Sequence, residues 1–197
     1  MGLPAKVPPP RRATYADLEA VPANQVAELI EGTLYVMPRP ALRHARASTR
    51  LTIEIGGPFD LGRGGPGGWH ILDEPELHFP DPTAPGEDDA LVPDLAGWRR
   101  ERVPELPDAA YCTIAPDWIC EVLSPSTEAH DREAKMPIYA REGVRHAWLI
   151  DPIAKSLEVY TLDAGRRWGE PVIARGVEVV RAAPFEAIEL ELSALWT

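Results

Sequence analysis

The segment from Asp117 to Ser124 constrains the fold of this chain more than any other stretch of its sequence. It is almost continuously apolar, through Trp118, Ile119, Cys120, Val122 and Leu123. Such a run is typical of a strand whose two faces are both covered. Glu121 interrupts the run, and a carboxylate buried there needs a partner. The segment therefore predicts a central strand that carries one acidic side chain into the interior.

A second carboxylate, Asp94, follows Val92 and Pro93 at the start of another apolar run. If the strands that carry Asp94 and Glu121 are neighbours, both side chains can reach one ion. Carboxylate oxygens suit a hard cation, so the pair predicts a site for Mg²⁺ or Mn²⁺. The alternatives are a turn-capping aspartate and a glutamate in a structural ion pair.

A lysine would complete such a site by orienting water or stabilising developing negative charge. Two residues beyond Glu121, on the same face of the strand, the sequence has Leu123 instead. The next candidate is Lys135, which falls on the helix after the strand. Its alternative role is that of a surface lysine on an amphipathic helix.

Charge and composition limit the class of protein. The chain has 197 residues, of which 45% are hydrophobic, and a net charge of −11. We expect a single globular domain over residues 13–197, preceded by a flexible Pro-rich arm over residues 1–12. The negative charge argues against a simple DNA-coating protein.

The two cysteines, Cys112 and Cys120, lack metal-ligand spacing, and no apolar run is long enough for a signal peptide or membrane span. These features predict a cytoplasmic protein with no membrane partner. The glycines of residues 56–68 do not have the spacing of a phosphate-binding loop, and no two histidines have the spacing of a zinc site. Ser124 and Ser126 are not part of a GxSxG motif, so the sequence does not favour a serine hydrolase.

Positive charge is concentrated on one predicted helix, from Ala41 to about Ile55. Arg43, Arg46 and Arg50 fall within an arc of about 60° at 100° per residue. We expect its inner face to consist of Ala45, Ser48, Thr52 and Ile55. The arginines are candidates for binding a nucleic-acid backbone, and an ordinary solvated helix face is the alternative.

The order of elements predicts a mixed α/β fold. From residue 41 to residue 151 the pattern is helix, strand, strand, strand, helix, strand, with hairpins at both ends. The middle strands are expected at 69–79, with a break near Pro75, at 91–98 and at 117–124. The helix that follows the last of these strands is expected to end at Gly143. Only one β-α-β crossover is visible in the sequence, and this disfavours a doubly wound sheet, which needs several.

An ordered set of short motifs runs through most of residues 26–165. It comprises Glu28-Leu29-Ile30-Glu31-Gly32, His44, Pro93-Asp94, Glu121 to Thr127, Asp131, Lys135, Tyr139, Gly143-Val144, Trp148 and Asp151-Pro152. This set resembles the Uma-two family of putative restriction endonucleases. The resemblance implies a restriction-endonuclease-like core of the PD-(D/E)XK superfamily.

The resemblance also implies roles for particular residues. Asp94 and Glu121 would be catalytic metal ligands, with the Val122 carbonyl as a third ligand, and Lys135 would take the role of the catalytic lysine. Leu123 stands where the superfamily usually has its lysine, a departure that the family shares. His44 is expected to form a structural hydrogen bond rather than a metal bond.

Two main hypotheses follow. The first is a Mg²⁺-dependent endonuclease that hydrolyses phosphodiester bonds of DNA, with a symmetric homodimer as the form that cuts both strands. The second is a nuclease-fold protein of weak or no activity that acts as a binding or regulatory module, which Leu123 and the net charge favour. A metal-dependent glycosidase with two carboxylates is a weaker third hypothesis.

Overall fold

The apolar segment around Glu121 forms a strand in the interior of a six-stranded sheet. The computed structural model describes residues 11–196, so residues 1–10 of the predicted arm lie outside the described residues. Of the arm's last two residues, Arg11 pairs with Asp17 and Arg12 with Asp81.

The elements follow in chain order. The helices are α1 (Tyr15–Glu19), α2 (Leu42–Ile55), α3 (Glu128–His130), α4 (Met136–Glu142) and α5 (Ser193–Trp196), with π-helical turns at Gly56–Asp60 and Asp131–Lys135. The strands are β1 (Gln25–Ile30), β2 (Thr33–Pro38), β3 (Trp69–Asp73), β4 (Leu77–Pro80), β5 (Asp88–Leu91), β6 (Leu95–Arg99), β7 (Trp118–Val122), β8 (His146–Asp151), β9 (Ser156–Thr161), β10 (Val172–Arg175), β11 (Val179–Val180) and β12 (Leu190–Glu191).

Three sheets are formed by the described residues. The largest has the order β10-β9-β8-β7-β6-β3, the second has the order β2-β1-β5-β4, and β11 pairs with β12. Within the largest sheet β7 and β8 are parallel and joined through α3 and α4, whereas β6 and β7 are antiparallel. The predicted mixed α/β fold and its helix–strand–strand–strand–helix–strand core, here α2-β3-β6-β7-α4-β8, are confirmed.

The strand β7 is covered on both faces, as its sequence predicts. Trp118, Cys120 and Val122 belong to one apolar cluster, which includes the inner face of α2. Ile119 and Leu123 belong to a second cluster, which includes α4. Because side chains alternate along a strand, Glu121 lies on the α4 side.

The predicted N-terminal hairpin is confirmed as β1 and β2. Its turn residues Glu31 and Gly32 have φ of 49° and 71°. Two consecutive left-handed residues are typical of a type I′ turn, whose twist matches that of the strands. The helix after β7 also ends as predicted, because Gly143 takes φ of 82° at its C-cap.

One predicted strand is wrong as a continuous element. The 91–98 segment divides into β5 and β6, which lie in different sheets. The 69–79 segment breaks near Pro75 as predicted, and its halves β3 and β4 also lie in different sheets. Pro93 has no N–H to donate to a ladder, so the 91–98 segment breaks at Val92-Pro93-Asp94. Asp94 therefore lies where the chain crosses from the four-stranded to the six-stranded sheet.

The inner face predicted for α2 is partly wrong. The buried residues are Ala47, Ser48, Leu51 and Ile55, while Ala45 is exposed and Thr52 is half-buried. The buried stripe is thus rotated by about 60° from the predicted one, at 100° per residue. The larger apolar area of Leu51 decides which face is buried. His44 consequently lies on the covered side of the helix.

Candidate active site

Asp94 and Glu121 lie side by side on neighbouring antiparallel strands. Asp94 precedes β6, and Leu95 pairs with Cys120, so the same register brings Asp94 opposite Glu121. The Val122 N–H donates to Asp94 Oδ2 at 2.7 Å, and the Asp94 N–H lies 3.4 Å from Glu121 Oε2. The two predicted metal ligands are therefore brought together by the strand pairing itself.

Glu121 is an acidic group held in an apolar interior. Its exposed fraction is 2%. Burial raises the pKa of Glu121 well above its usual range, although the Lys135 ammonium opposes the shift. The Tyr139 hydroxyl donates to Glu121 Oε1 at 2.7 Å. The Tyr139 ring packs in the apolar cluster on the α4 side, and its hydroxyl also fixes this carboxylate.

Lys135 reaches the same point from the π-helical turn before α4. Its Nζ lies 2.9 Å from Glu121 Oε1 and 3.0 Å from Glu28 Oε1, and it donates to the Val92 carbonyl at 3.0 Å. The side chain is buried, so the alternative of a surface lysine is excluded. Burial acts to lower the pKa of Lys135, but the carboxylates of Glu121 and Glu28 outweigh it and raise the pKa well above its usual range.

The π-helical turn explains how Lys135 points inward. A π turn holds one residue more than an α turn, and such bulges are frequent at functional sites. Asp131 and Lys135, at the two ends of this turn, are both buried. Asp131 Oδ1 lies 3.8 Å from Lys135 Nζ. Burial raises the pKa of Asp131, with Lys135 acting in the opposite direction.

Glu28 is a site residue that the sequence did not place. It comes from β1, where its Oε1 accepts from the Val92 N–H at 2.8 Å and its Oε2 lies 2.6 Å from His130 Nε2. Burial acts to raise the pKa of Glu28, but Lys135 and His130 outweigh burial and lower it. The sequence pattern that could have identified Glu28 is the one that identified Glu121, a glutamate inside an apolar strand.

His44 lies against Asp94, with 3.3 Å between His44 Nε2 and Asp94 Oδ2. Its Nδ1 is buried and has no hydrogen-bond partner in the described residues. Burial acts to lower the pKa of His44, and the Asp94 carboxylate outweighs it and raises the pKa. The side chain was expected to form a structural hydrogen bond, and its partner is a predicted metal ligand.

Leu123 is buried in the apolar cluster on the α4 side of the sheet. Its backbone N–H donates to the Ile150 carbonyl at 2.7 Å, which continues the β7–β8 ladder. An ammonium at this position would be surrounded by apolar side chains. The lysine of this site accordingly comes from the helix side, as Lys135.

A cavity of about 390 Å³ opens above these residues. Its walls include the four acidic and basic groups that converge, Glu28, Asp94, Glu121 and Lys135, together with Val122, His44, Glu74 and Asp131. The segments 37–41 and 124–127 form further parts of its wall. Arg43, Arg46 and Arg50 are exposed on α2 and do not line the cavity.

The residues present fit a hard divalent cation. Residues 11–196 contain no group of three or more His, Cys, Asp or Glu side chains in a metal-binding arrangement. Mg²⁺, however, is usually held by one or two carboxylates and keeps several waters. Asp94, Glu121 and the Val122 carbonyl would supply such a set of oxygen ligands. The cavity wall also has more carboxylates than cationic side chains, and this excess favours the binding of a metal cation.

The sheet order, the interrupted strand before Asp94 and the paired acidic residues define a protein of the restriction-endonuclease-like class. The chain belongs to the Uma2 family, described as "Putative restriction endonuclease", whose family model matches residues 12–194.

A solved structure with the same fold is that of a putative nuclease belonging to DUF820 from Anabaena variabilis ATCC 29413. It aligns with a TM-score of 0.72 over 93% of this chain and 97% of that chain, at 23% sequence identity. No curated protein matches this chain. No helix in residues 11–196 is long and apolar enough to cross a membrane.

Proposed function

We propose that this protein is a metal-dependent endonuclease that hydrolyses phosphodiester bonds of DNA. The observation that carries the proposal is the convergence of the Asp94 and Glu121 carboxylates with the Lys135 ammonium at one cavity. Glu121 and Lys135 are buried and Asp94 is partly buried, and charged groups brought together in this way are costly to desolvate and are typical of functional sites. Membership in a family described as putative restriction endonucleases supports the same reaction.

Asp94, Glu121 and the Val122 carbonyl would hold Mg²⁺ or Mn²⁺. When bound, the ion would polarise a phosphoryl oxygen and lower the pKa of an attacking water. Val122 N–H and His44 hold Asp94 in place, and Tyr139 and Lys135 hold Glu121. These contacts fix both carboxylates before substrate arrives.

Lys135 lies between Glu28 and Glu121, whose carboxylates raise its pKa, and a raised pKa does not suit a group that must accept a proton from water. We assign it electrostatic stabilisation of the negative charge that develops on the phosphoryl group. Arg43, Arg46 and Arg50, exposed on α2, would hold the DNA backbone outside the cavity. We also propose a cytoplasmic homodimer, since a two-fold pair of sites suits cleavage of both strands.

The test is cleavage of a fluorescently labelled DNA duplex with Mg²⁺, with Mn²⁺ and with EDTA. The parent protein should cleave only with metal, and Asp94→Asn and Glu121→Gln should abolish cleavage. Glu105→Gln, which changes an exposed acid outside the cavity, is the matched control and should cleave like the parent. If Asp94→Asn and Glu121→Gln cleave at the rate of the parent, the proposal is wrong.

A second candidate function is a nuclease-fold binding or regulatory module. Lys135 favours it, because its ammonium already has Glu28, Glu121 and the Val92 carbonyl as three partners. This candidate predicts no Mg²⁺ or Mn²⁺ binding by calorimetric titration and a stable protein partner recovered from cells. Metal binding together with metal-dependent cleavage would exclude it.

A further inference from the structure

The charged groups of the cavity pose a problem for an anionic substrate. Its wall carries five carboxylates, which are Glu28, Glu74, Asp94, Glu121 and Asp131. Of the cations in the wall, Lys135 is already paired with three of these carboxylates, Glu28, Glu121 and Asp131. A phosphodiester that enters the cavity therefore needs a cation besides the metal and Lys135.

Arg39 is the remaining strong cation of the cavity wall. Its side chain is exposed, and its guanidinium donates to the Ala23 carbonyl at 2.7 Å. Within the described part of the chain it has no carboxylate partner. Its remaining donors are free to form charge-assisted bonds to a phosphate, which a guanidinium can grip with two parallel N–H groups.

The flanking residues hold Arg39 in a restricted conformation. Pro38 and Pro40 flank it, and the ring of Pro40 restricts the backbone of Arg39 to extended conformations. The bond to the Ala23 carbonyl further limits the guanidinium. Less conformational entropy is then lost when the side chain binds an anion, which is the physical advantage of preorganisation.

The 124–127 segment supplies neutral donors to the same cavity. Ser124 Oγ lies 3.0 Å from Ser126 Oγ and 2.9 Å from Thr127 Oγ1. All three residues line the cavity. Hydroxyl groups of this kind form phosphate contacts in protein–DNA interfaces, so they complement a guanidinium.

We propose that Arg39 is the substrate-positioning residue of this site and binds a backbone phosphate next to the bond that is cut. This role differs from that of the α2 arginines, which lie outside the cavity. It rests on the proposed function, because the anion is a phosphodiester of the nucleic-acid substrate.

The experiment compares the parent protein with Arg39→Ala, Arg39→Lys and Arg63→Ala. Arg63 is an exposed arginine in the loop beyond the far end of α2 and serves as the matched control. Binding of a short fluorescein-labelled DNA duplex is measured by anisotropy over a range of salt concentrations, and cleavage with Mg²⁺ gives kcat and KM.

Arg39→Ala should weaken binding about tenfold and reduce the slope of log K against log salt by about 0.9. KM should rise by a similar factor while kcat changes little. Arg39→Lys should keep the salt slope, and Arg63→Ala should match the parent. A purely structural role would lower Tm without changing the slope.

An Arg39→Ala protein that binds and cleaves with the KM and salt slope of the parent overturns this inference and leaves the proposed function intact. A parent protein that neither binds nor cleaves DNA overturns both. That second outcome is seen in the parent alone, so the two failures are distinguishable.

Discussion

The Val122 N–H donates to Oδ2 of Asp94 at 2.7 Å, so the strand that carries Glu121 also holds the other predicted metal ligand in position. The backbone of one strand thereby fixes the side chain at the start of its neighbour. Because backbone groups in a central strand move little, this bond preorganises the carboxylate pair. The consequences of such a preorganised buried site can be tested residue by residue.

Replacing Glu28 should destabilise the fold as well as the site. Glu28→Leu removes a carboxylate from between Lys135 and His130, and we expect a loss of about 3–5 kcal/mol in the free energy of unfolding. Glu28→Gln should cost less, since its amide oxygen can still accept from the Val92 N–H. Urea denaturation of both variants measures the difference. Equal and small losses for the two would show that the charge of Glu28 is not needed.

Tyr139→Phe should isolate the hydroxyl contact to Glu121. The ring keeps its packing, while the buried Glu121 Oε1 loses one donor. We expect a loss of roughly 1–3 kcal/mol in the free energy of unfolding, the range for a buried acceptor left without its donor. Tyr160→Phe is the control, because that hydroxyl bonds to a more exposed glutamate, Glu158, and should cost less. A larger loss from the control would contradict the prediction.

Leu123→Lys tests why the lysine of this site is on the helix side. The new ammonium would enter an apolar cluster, and we expect a loss of at least about 3 kcal/mol in stability. Leu123→Met, which preserves volume, should cost less than about 1.5 kcal/mol. Thermal unfolding of both proteins gives the comparison. A stable Leu123→Lys protein with increased cleavage would mean that the position does accept a lysine.

Acid should remove the stabilisation that comes from Arg132 and Glu158. Two hydrogen bonds from Arg132, each 2.8 Å long, lower the pKa of Glu158. A carboxyl with a lowered folded-state pKa stabilises the fold fully above its unfolded pKa of about 4.3, and this contribution is lost as the pH falls through the folded-state value.

Glu158→Gln should therefore be less stable than the parent at neutral pH, by about 1 kcal/mol or less for this partly exposed pair. The difference should shrink below about pH 4. Denaturant titrations across this pH range measure it. A difference that stays constant down to the acid limit would rule out the ion pair as its source.

Local sequence patterns were sufficient for the elements and for two of the converging groups. The apolar run around Glu121 and the Gly- and Pro-free segment of α2 each predict their element within a few residues. The order of these elements, with the alternation of side chains along β7, brings Asp94 and Glu121 to neighbouring strands. The elements are predicted correctly because each depends on short-range periodicity, whereas the pairing of β6 with β7 entered the sequence argument as a condition that the structure fulfils.

What the sequence could not supply depends on contacts between distant segments. Glu28 meets His130 across 102 positions, and no local pattern at either residue indicates the other. The buried face of α2 depends on which neighbour it meets, so its rotation toward Leu51 and His44 was missed. The break at Pro93 was visible as a proline, but the change of sheet that follows requires the pairing of β1 with β5.

The position of Lys135 between two sheets bears on how this chain could be shortened. Its ammonium contacts Glu28 of the four-stranded sheet and Glu121 of the six-stranded sheet. A fragment that begins after the first hairpin would keep Asp94, Glu121 and Lys135 but lose Glu28, one of the three carboxylates paired with the buried lysine. A shortened form that retains the proposed site must therefore include the hairpin, even though Asp94 and Glu121 both lie outside it.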